Sequence, residues 1–148
     1  MPLLIATPQS ANAGRRTPSL VELLDLFPTL VELCGLPAPE GLQGSSLVPV
    51  LRDPQKSVKR AAWTQHPRPS YFDREPSGEP QAMGVSVRTT AVRYTEWREW
   101  KTGKTLAREL YDAQHDPAEL RNAVDVPAMA DAQHDAEELL RQQFPVAR

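Results

Sequence analysis

The first third of the chain combines a short apolar run with a helical pattern. Residues 2–6 are apolar, and this run predicts a buried parallel strand, which needs neighbouring strands on both sides. Over residues 20–34 apolar positions recur at spacings of three and four, which predicts a helix. Pro28 restricts where this helix starts, so we expect it to begin near Asp25, with the Asp25 carboxylate as its cap, and to end at Gly35. The apolar stripe is expected to face the core, and the polar positions lie on the other side: Glu22, Asp25, Thr29 and Glu32.

The rest of the chain carries alternating patterns. A helical turn is expected over residues 46–51, and residues 66–81 form a polar, proline-containing loop. Four short strands are predicted, over residues 61–65, 83–90, 92–100 and 109–112. A closing amphipathic helix follows, with Asp125 as its expected cap and Pro127 in its first turn. Four strands and one helix predict an α+β unit in which the helix covers one face of an antiparallel sheet.

Composition limits the classes of partner. The 148 residues include 17 Lys or Arg and 19 Asp or Glu, for a net charge of −2. Because the basic residues are scattered, no nucleic acid and no anionic membrane is expected as a partner. The tightest basic group, Lys56, Lys59 and Arg60, is interpreted as a solvated turn. The sequence has no stretch of 18 apolar residues, so no membrane span is predicted. The apolar N-terminus lacks the basic region of a signal peptide.

Four segments, in order along the chain, resemble the sulfatase family. Residues 18–37 (PSLVELLDLFPTLVELCGLP) and 41–47 (GLQGSSL) are similar to its S-L-V-D-L-x-P-T-L-x-x-L-x-G-L and G-x-S-L segments. Glu109-Leu110-Tyr111-Asp112, followed by Asp116-Pro117-Ala118-Glu119 and Asn122, resembles its E-L-Y-D signature. Residues 65–69 (QHPRP) and 83–97 (MGVSVRTTAVRYTEW) resemble the iduronate-2-sulfatase branch.

This resemblance implies an alkaline-phosphatase-like fold. Residues 1–60 would be the last strand and helices of the large α/β domain. Residues 61–148 would be the C-terminal subdomain, a four-stranded antiparallel sheet packed on a helix. Complete members of the family are often periplasmic, secreted or lysosomal, and the sequence leaves the compartment of this chain open.

The resemblance also implies a chemistry that this chain lacks. Family members use a formylglycine made from Cys or Ser in a Cys/Ser-x-Pro-x-Arg motif, and a divalent cation, usually calcium, on several Asp and an Asn or Gln. Cys34 is the only cysteine, so no internal disulfide is possible, and Gly35-Leu36-Pro37 after it does not fit the motif. We interpret Cys34 as a core side chain. No catalytic residue, metal ligand or cofactor is therefore expected within this chain.

Four residues are candidates for contact with a substrate. In the resemblance, the loop that begins near His66 approaches the mouth of the cleft, so His66, Arg68 or Tyr71 would touch a substrate there, with a rigid structural turn as the alternative. Arg88 projects from the polar face of a central strand, where it would contact an anion or pair with a carboxylate across the domain boundary. His115 and His134 are expected to be exposed.

Three functions remain open at this point. The first is a C-terminal fragment of a sulfatase, inactive alone, whose partner is the missing N-terminal catalytic part or another copy bound through exposed apolar surface. The second is a stand-alone structural or binding module derived from the subdomain. The third is a related phosphonate or phosphate monoester hydrolase. The sequence does not name the ester that a complete enzyme would cleave.

Overall fold

The computed structural model describes residues 3–8, 11–69, 71–72, 75–76 and 79–145, with the backbone alone at 71–72 and 75–76. Within it the chain forms two compact units, Met1–Arg60 and Ala61–Arg148.

The first unit is helical. A 3-10 turn at Leu23–Asp25 leads into helix α1, Leu26–Leu33, and a short helix α2 spans Val48–Arg52. The strand predicted for residues 2–6 is absent from the described residues 3–8, and the Leu4 side chain is 92% exposed. The prediction was wrong in this structure because a parallel strand needs hydrogen-bonding neighbours, and no strand is assigned in the described part of this unit.

The burial around α1 differs from the prediction on both sides of the helix. Asp25 and Thr29 are buried, with 0% and 1% exposure. The expected core side is open to solvent: Leu23, Leu24, Phe27, Leu30 and Cys34 are exposed, although Val31 is buried. The periodicity predicted the helix correctly. Hydrophobicity alone predicted the wrong side as buried, because polar groups on the other side have specific partners.

Those partners are backbone groups of the segment that leads to α2. Asp25 Oδ1 accepts a hydrogen bond of 2.9 Å from the Ser45 N–H, and Oδ2 accepts one of 2.8 Å from the Glu22 N–H. Thr29 Oγ1 donates to the Asp25 carbonyl at 2.6 Å and accepts from the Leu47 N–H at 2.8 Å. Buried polar groups cost little when they are paired in this way. Asp25 therefore caps the 3-10 turn and fixes a neighbouring segment, and it makes no side-chain cap to α1 itself.

Lys59 completes this buried cluster. Its ammonium Nζ lies 2.7 Å from Glu22 Oε2 and 2.7 Å from Asp25 Oδ1, and its side chain is only 10% exposed. The interpretation of Lys59 as part of a solvated turn was therefore wrong. A buried ammonium is stable only with paired carboxylates, which the 3-10 turn supplies.

Gly35 ends α1 as predicted. It has φ +65°, its N–H donates to the Glu32 carbonyl at 3.1 Å, and the Leu36 N–H donates to the Val31 carbonyl at 3.0 Å. This is a Schellman motif, which requires a left-handed residue and so favours glycine.

The second unit is the predicted four-stranded antiparallel sheet with a C-terminal helix. The sheet has the order β1-β4-β5-β6, and β2 pairs with β3 in a separate two-stranded ribbon. The bounds are β1 Ala62–Arg68, β2 Tyr71–Phe72, β3 Glu75–Pro76, β4 Ala82–Arg88, β5 Val92–Glu99 and β6 Thr105–Asp112. β1 and β6 are longer than predicted, so His66 and Arg68 lie on a strand and not in the expected loop.

Helix α3, Ala130–Gln143, packs on one face of this sheet, which we call the inner face. Fully buried side chains from both elements form the core, among them Val87, Tyr94, Leu110, Ala136 and Leu140, each at 0% exposure. The alternation of the strands and the stripe of the helix predicted most of this core correctly.

The start of α3 differs from the prediction. A 3-10 turn at Pro127–Met129 precedes the helix, and no side chain caps α3. Asp125 instead adopts φ +60° and pairs with Arg108 Nη2 at 3.0 Å. Pro127 does occupy a first turn, but that of the 3-10 segment.

Part of the outer edge of β6 is covered by Asn122 and the residue after it. Asn122 Oδ1 accepts from the Leu110 N–H at 3.0 Å, and its Nδ2 donates to the Arg108 carbonyl at 3.2 Å. The Ala123 N–H also donates to the Leu110 carbonyl at 2.8 Å. Asn122 thus takes the place of a further strand, which gives the asparagine of the E-L-Y-D signature region a structural role.

Candidate functional site

His66 and Arg68 are exposed side chains on the edge strand β1. They pair in register with Gly84 and Ala82 of β4, so both project from the face of the sheet opposite α3, which we call the outer face. Arg68 lies over a tryptophan, with its Cζ 5.1 Å from the centroid of the Trp97 ring. The side chain of Tyr71, the third candidate, falls outside the described part of the structure.

Trp97 is itself held in place. Its Nε1–H donates to Glu109 Oε1 at 2.8 Å, and Tyr111 donates to Glu109 Oε2 at 3.3 Å. Gly84 makes room for the ring, because a Cβ at this position would lie 2.8 Å from Trp97 Cζ3. Partial burial and the neighbouring Glu109 raise the pKa of the Tyr111 phenol above its ordinary value. Arg68 therefore rests on a fixed aromatic surface, and its guanidinium is held in a defined direction.

Arg88 lies on the same face but at its other end, because Ala82 and Arg88 are six residues apart on β4, or about 20 Å. Its Nη1 lies 3.8 Å from Glu119 Oε1, and Arg93 Nε lies 3.1 Å from the same oxygen. Glu119 belongs to the same unit as Arg88, and the predicted contact of Arg88 with an anion or with a carboxylate across the domain boundary stays a prediction. The structure brings His66 and Arg68 together and keeps Arg88 apart from them.

A partly buried ionic cluster lies on the inner face between the sheet and α3. Tyr94 donates towards two carboxylates, with its hydroxyl 3.0 Å from Glu96 Oε1 and 3.1 Å from Glu137 Oε1. Arg98 Nε donates to Glu96 Oε2 at 2.8 Å, and Arg108 Nη1 lies 3.4 Å from Glu137 Oε1. The charges are thus balanced, and the cluster attaches α3 to β5 and β6. No feature of the sequence pattern predicted this cluster, although Tyr94, Glu96 and Arg98 alternate on one face of a strand.

Burial, together with Glu96 and Glu137, raises the pKa of Tyr94 far above the ordinary value for tyrosine. Because folding raises this pKa, the stabilisation from the protonated phenol is complete below about pH 10 and is lost as the pH rises further. We expect the free energy of unfolding to fall by up to about 1.4 kcal/mol per pH unit above pH 10 from this group alone. Urea titrations from pH 8 to 11 measure it, and Tyr94→Phe should show a smaller alkaline decrease. An equal decrease in both proteins would contradict the assignment.

The side chains that the structure describes do not fit the cofactors that the family resemblance implies. Within the described residues, no three His, Cys, Asp or Glu side chains come together as ligands of a metal ion. Cys34 is exposed and is followed by Gly35-Leu36-Pro37. His115 is also exposed and lies 2.8 Å from Asp112, where its hydrogen bond lowers the pKa of that carboxyl. No helix in the part that the structure describes is long and apolar enough to cross a membrane.

Comparison with known proteins now adds to this geometry. Residues 1–144 match the family described as N-sulphoglucosamine sulphohydrolase, C-terminal. The chain belongs to this sulfatase family. The match covers both units, so the segments on which the resemblance was based are parts of one continuous relationship.

Curated relatives are also sulfatases. Iduronate 2-sulfatase of Mus musculus is 33% identical over an alignment that covers 83% of this chain and 27% of the relative. Arylsulfatase K of Homo sapiens is 29% identical over 82% of this chain and 22% of that protein. The sulfatase chain thus spans about a quarter of the length of these relatives.

Solved structures confirm the fold of the sulfatase chain. A crystal structure from Bacteroides thetaiotaomicron assigned to the sulfatases has a TM-score of 0.64 and 30% identity, and covers 81% of this chain and 24% of that one. Phosphonate monoester hydrolase of Agrobacterium radiobacter has a TM-score of 0.63 and 25% identity, over 89% and 27% of the two chains. The alkaline-phosphatase-like assignment and the α+β prediction are therefore confirmed.

Proposed function

We propose that this chain is the C-terminal part of a sulfuric ester hydrolase similar to iduronate 2-sulfatase, and that it acts together with an N-terminal catalytic part. One observation carries the proposal: α1 presents an apolar surface, with Phe27 53%, Leu30 59% and Leu33 42% exposed. Apolar side chains exposed side by side on one helix usually mark an interaction surface. In a chain that spans about a quarter of its relatives, the catalytic part is the partner that this surface fits.

The catalytic groups would come with that partner. A formylglycine would supply the attacking oxygen, and calcium would neutralise the charge of the ester. The side chains described here do not fit either group, so we expect these 148 residues alone to turn over no ester. Self-association through the same apolar side of α1 is the outcome expected when the catalytic part is missing.

The contribution of this chain would be contact with a sulfated saccharide. Two relatives are named for sulfated sugars: iduronate 2-sulfatase and the N-acetylglucosamine-6-O-sulfatase of Bacteroides thetaiotaomicron. The second is 27% identical over 96% of this chain. His66 and Arg68 are exposed on one face, and Arg68 is permanently charged and held on Trp97. We propose that these two residues, with Tyr71, approach the substrate, and that Arg88 contacts an anionic group farther along the same face.

A stand-alone module is the second candidate, and the second unit favours it. Tyr94, Leu110 and Leu140 give this unit a closed core of its own. A unit with its own core is able to fold and to bind without a catalytic partner.

A chimaera tests the first proposal. This chain would replace the C-terminal segment of the Bacteroides thetaiotaomicron N-acetylglucosamine-6-O-sulfatase, and hydrolysis of p-nitrophenyl sulfate with calcium would be measured. We expect turnover by the chimaera and none by the 148 residues alone. Leu30→Asp should make the chimaera insoluble or inactive. Leu106→Asp is the control and should leave it soluble and active, because Leu106 is about equally exposed, at 57% against 59%, but lies in the other unit.

Turnover by the isolated chain, with stoichiometric binding of calcium, would refute the proposal. A chimaera that is insensitive to Leu30→Asp would refute the role of α1. A monomeric isolated chain with well-dispersed NMR signals from both units would favour the module.

A further inference from the structure

The first unit has an apolar groove beside residues 3–7, which we call the N-terminal groove. It is a cavity of about 650 Å³, a volume typical of binding sites in proteins. Three segments of the chain supply its apolar side chains: Leu3 and Ile5, then Val21, and then Leu47, Val50 and Leu51. These residues lie outside α1, so the groove is a surface other than the apolar side of that helix.

Hydrogen bonds hold the walls of this groove in place. Asn12 Nδ2 donates to the Leu51 carbonyl at 2.9 Å and to the Arg52 carbonyl at 2.8 Å, which joins the loop after residues 3–7 to the end of α2. The Arg15 N–H donates to the Asn12 carbonyl at 3.0 Å, across a turn in which Gly14 has φ +73°. The groove is thus formed before a partner binds, which lowers the ordering cost of binding.

Two arginines lie on the rim of the N-terminal groove. Arg15 and Arg16 both line it, and both side chains are exposed. In the part of the chain that the structure describes, neither guanidinium has an ion pair or a hydrogen bond, whereas Arg52 on α2 lies 3.9 Å from Glu32. Two adjacent guanidiniums without a carboxylate make the rim positive, although the net charge of the chain is −2. Carboxylates on a partner would complement this rim.

A buried hydroxyl in the same groove also lacks a partner. Ser19 Oγ is buried and has no hydrogen bond within the described residues, although the Ser19 N–H donates to Thr17 Oγ1 at 3.1 Å. Buried hydroxyl groups in folded proteins are nearly always paired. The backbone of a protein segment carries both donors and acceptors, so a segment in the groove would supply the missing partner.

We infer that the N-terminal groove is a docking site for an acidic, apolar segment of the N-terminal catalytic part. Apolar side chains of that segment occupy the groove, and its carboxylates pair with Arg15 and Arg16. The inference rests on the proposed function for the identity of the partner. It adds a contact surface beyond α1 and states the chemistry that the partner presents there.

Other occupants fit the groove less well. A second copy that docked its own groove face to face would bring two pairs of arginines together, and like charges repel. A fatty acid has one carboxylate and an apolar tail, but it would leave apolar surface beside the groove uncovered, where Leu4 is 92% exposed. A protein segment covers this wider surface as well as the groove.

The test measures binding of two short peptides to the 148-residue chain by NMR and fluorescence anisotropy. One peptide alternates leucine with aspartate, and the other alternates leucine with lysine. We expect the aspartate peptide to perturb the amide signals of Ile5, Gly14 and Val50. The lysine peptide should bind at least about tenfold more weakly, because the arginine rim repels it. Added salt should weaken binding of the aspartate peptide.

Variants of the rim test the role of the two arginines. Arg15→Glu/Arg16→Glu should weaken binding of the aspartate peptide at least about tenfold, and Arg15→Lys/Arg16→Lys, which keeps both charges, by less than about threefold. Neither double variant removes a side-chain interaction within the described structure, so both should stay folded. Arg121→Glu is the matched control, because Arg121 is exposed in the second unit and its guanidinium also lacks an ion pair among the described residues.

Several results would overturn the inference. Arg121→Glu might not differ from the rim variant only if the groove were not the site, so equal weakening by both counts against it. Perturbed signals confined to Leu30 and Leu33 on α1 would assign the peptide to the helix. Tighter binding of laurate than of the aspartate peptide would assign the groove to a fatty acid, and dimers that dissociate in Arg15→Glu/Arg16→Glu would assign it to a second copy.

The peptide experiment needs no catalytic part, so its outcome is separate from that of the chimaera. Binding of the aspartate peptide together with an inactive chimaera would support the groove and count against the proposed function. An active chimaera without peptide binding would support the proposed function and count against the groove.

Discussion

Replacing Asp25 with alanine is expected to lower the free energy of unfolding of the first unit by about 3–5 kcal/mol. The substitution leaves the Lys59 ammonium, which is 10% exposed, with only one of its two carboxylates. It also removes the acceptor of the Ser45 and Glu22 N–H groups. Unpaired buried donors and charges are among the most destabilising changes known for single residues.

Hydrogen exchange in urea measures this effect at the site itself. The Ser45 and Leu47 amides, bound to Asp25 and Thr29, should lose most of their protection in Asp25→Ala. Glu32→Ala is the control, because its pair with Arg52, at 3.9 Å, is exposed and should contribute less than about 1 kcal/mol. Equal protection in the two variants would show that the buried cluster does not hold this unit together.

In the second unit, Leu140→Ala is expected to cost about 2–5 kcal/mol. Leu140 has 0% exposure and lies in the core that α3 shares with the sheet. Shortening it removes apolar contacts and leaves a cavity that the rigid strands are unable to close. The three tryptophans, Trp63, Trp97 and Trp100, all belong to this unit, so their fluorescence follows its unfolding in urea.

Leu106→Ala is the same substitution at a side chain that is 57% exposed. This substitution should change the free energy of unfolding, measured by the same urea titration, by less than about 0.5 kcal/mol. A loss in Leu140→Ala no larger than this would mean that α3 is not anchored through the shared core.

The sheet and its helix followed from the sequence because their signals are local. Val85 and Val87 alternate with Ser86 and Arg88, and this period of two determines which face is buried. Ala136 and Leu140 are four residues apart on a helix, so they share its buried side. In each case hydrophobicity, spacing and burial agree, and most of the observed core is the predicted one.

The first unit was harder because its interactions are not local. The Asp25 carboxylate binds groups 20 and 34 residues away, in Ser45 and Lys59, and no periodicity encodes such partners. The apolar side of α1 looks like a core pattern, yet the described structure exposes it. Arg88 is a similar case, since its partner Glu119 lies in a loop and has φ +55°. The sequence pattern does not predict the path of this loop.

Asn122 has a consequence for how this protein would behave at high concentration. Amyloid growth proceeds by adding strands to open backbone groups, and the Leu110 N–H and the Arg108 carbonyl on the rim of β6 are already bound to one amide side chain. On the opposite edge strand, β1, Pro67 has no N–H to donate to an added strand. Precipitates of this chain should accordingly be amorphous, with little thioflavin fluorescence, and Asn122→Ala should make them more fibrillar.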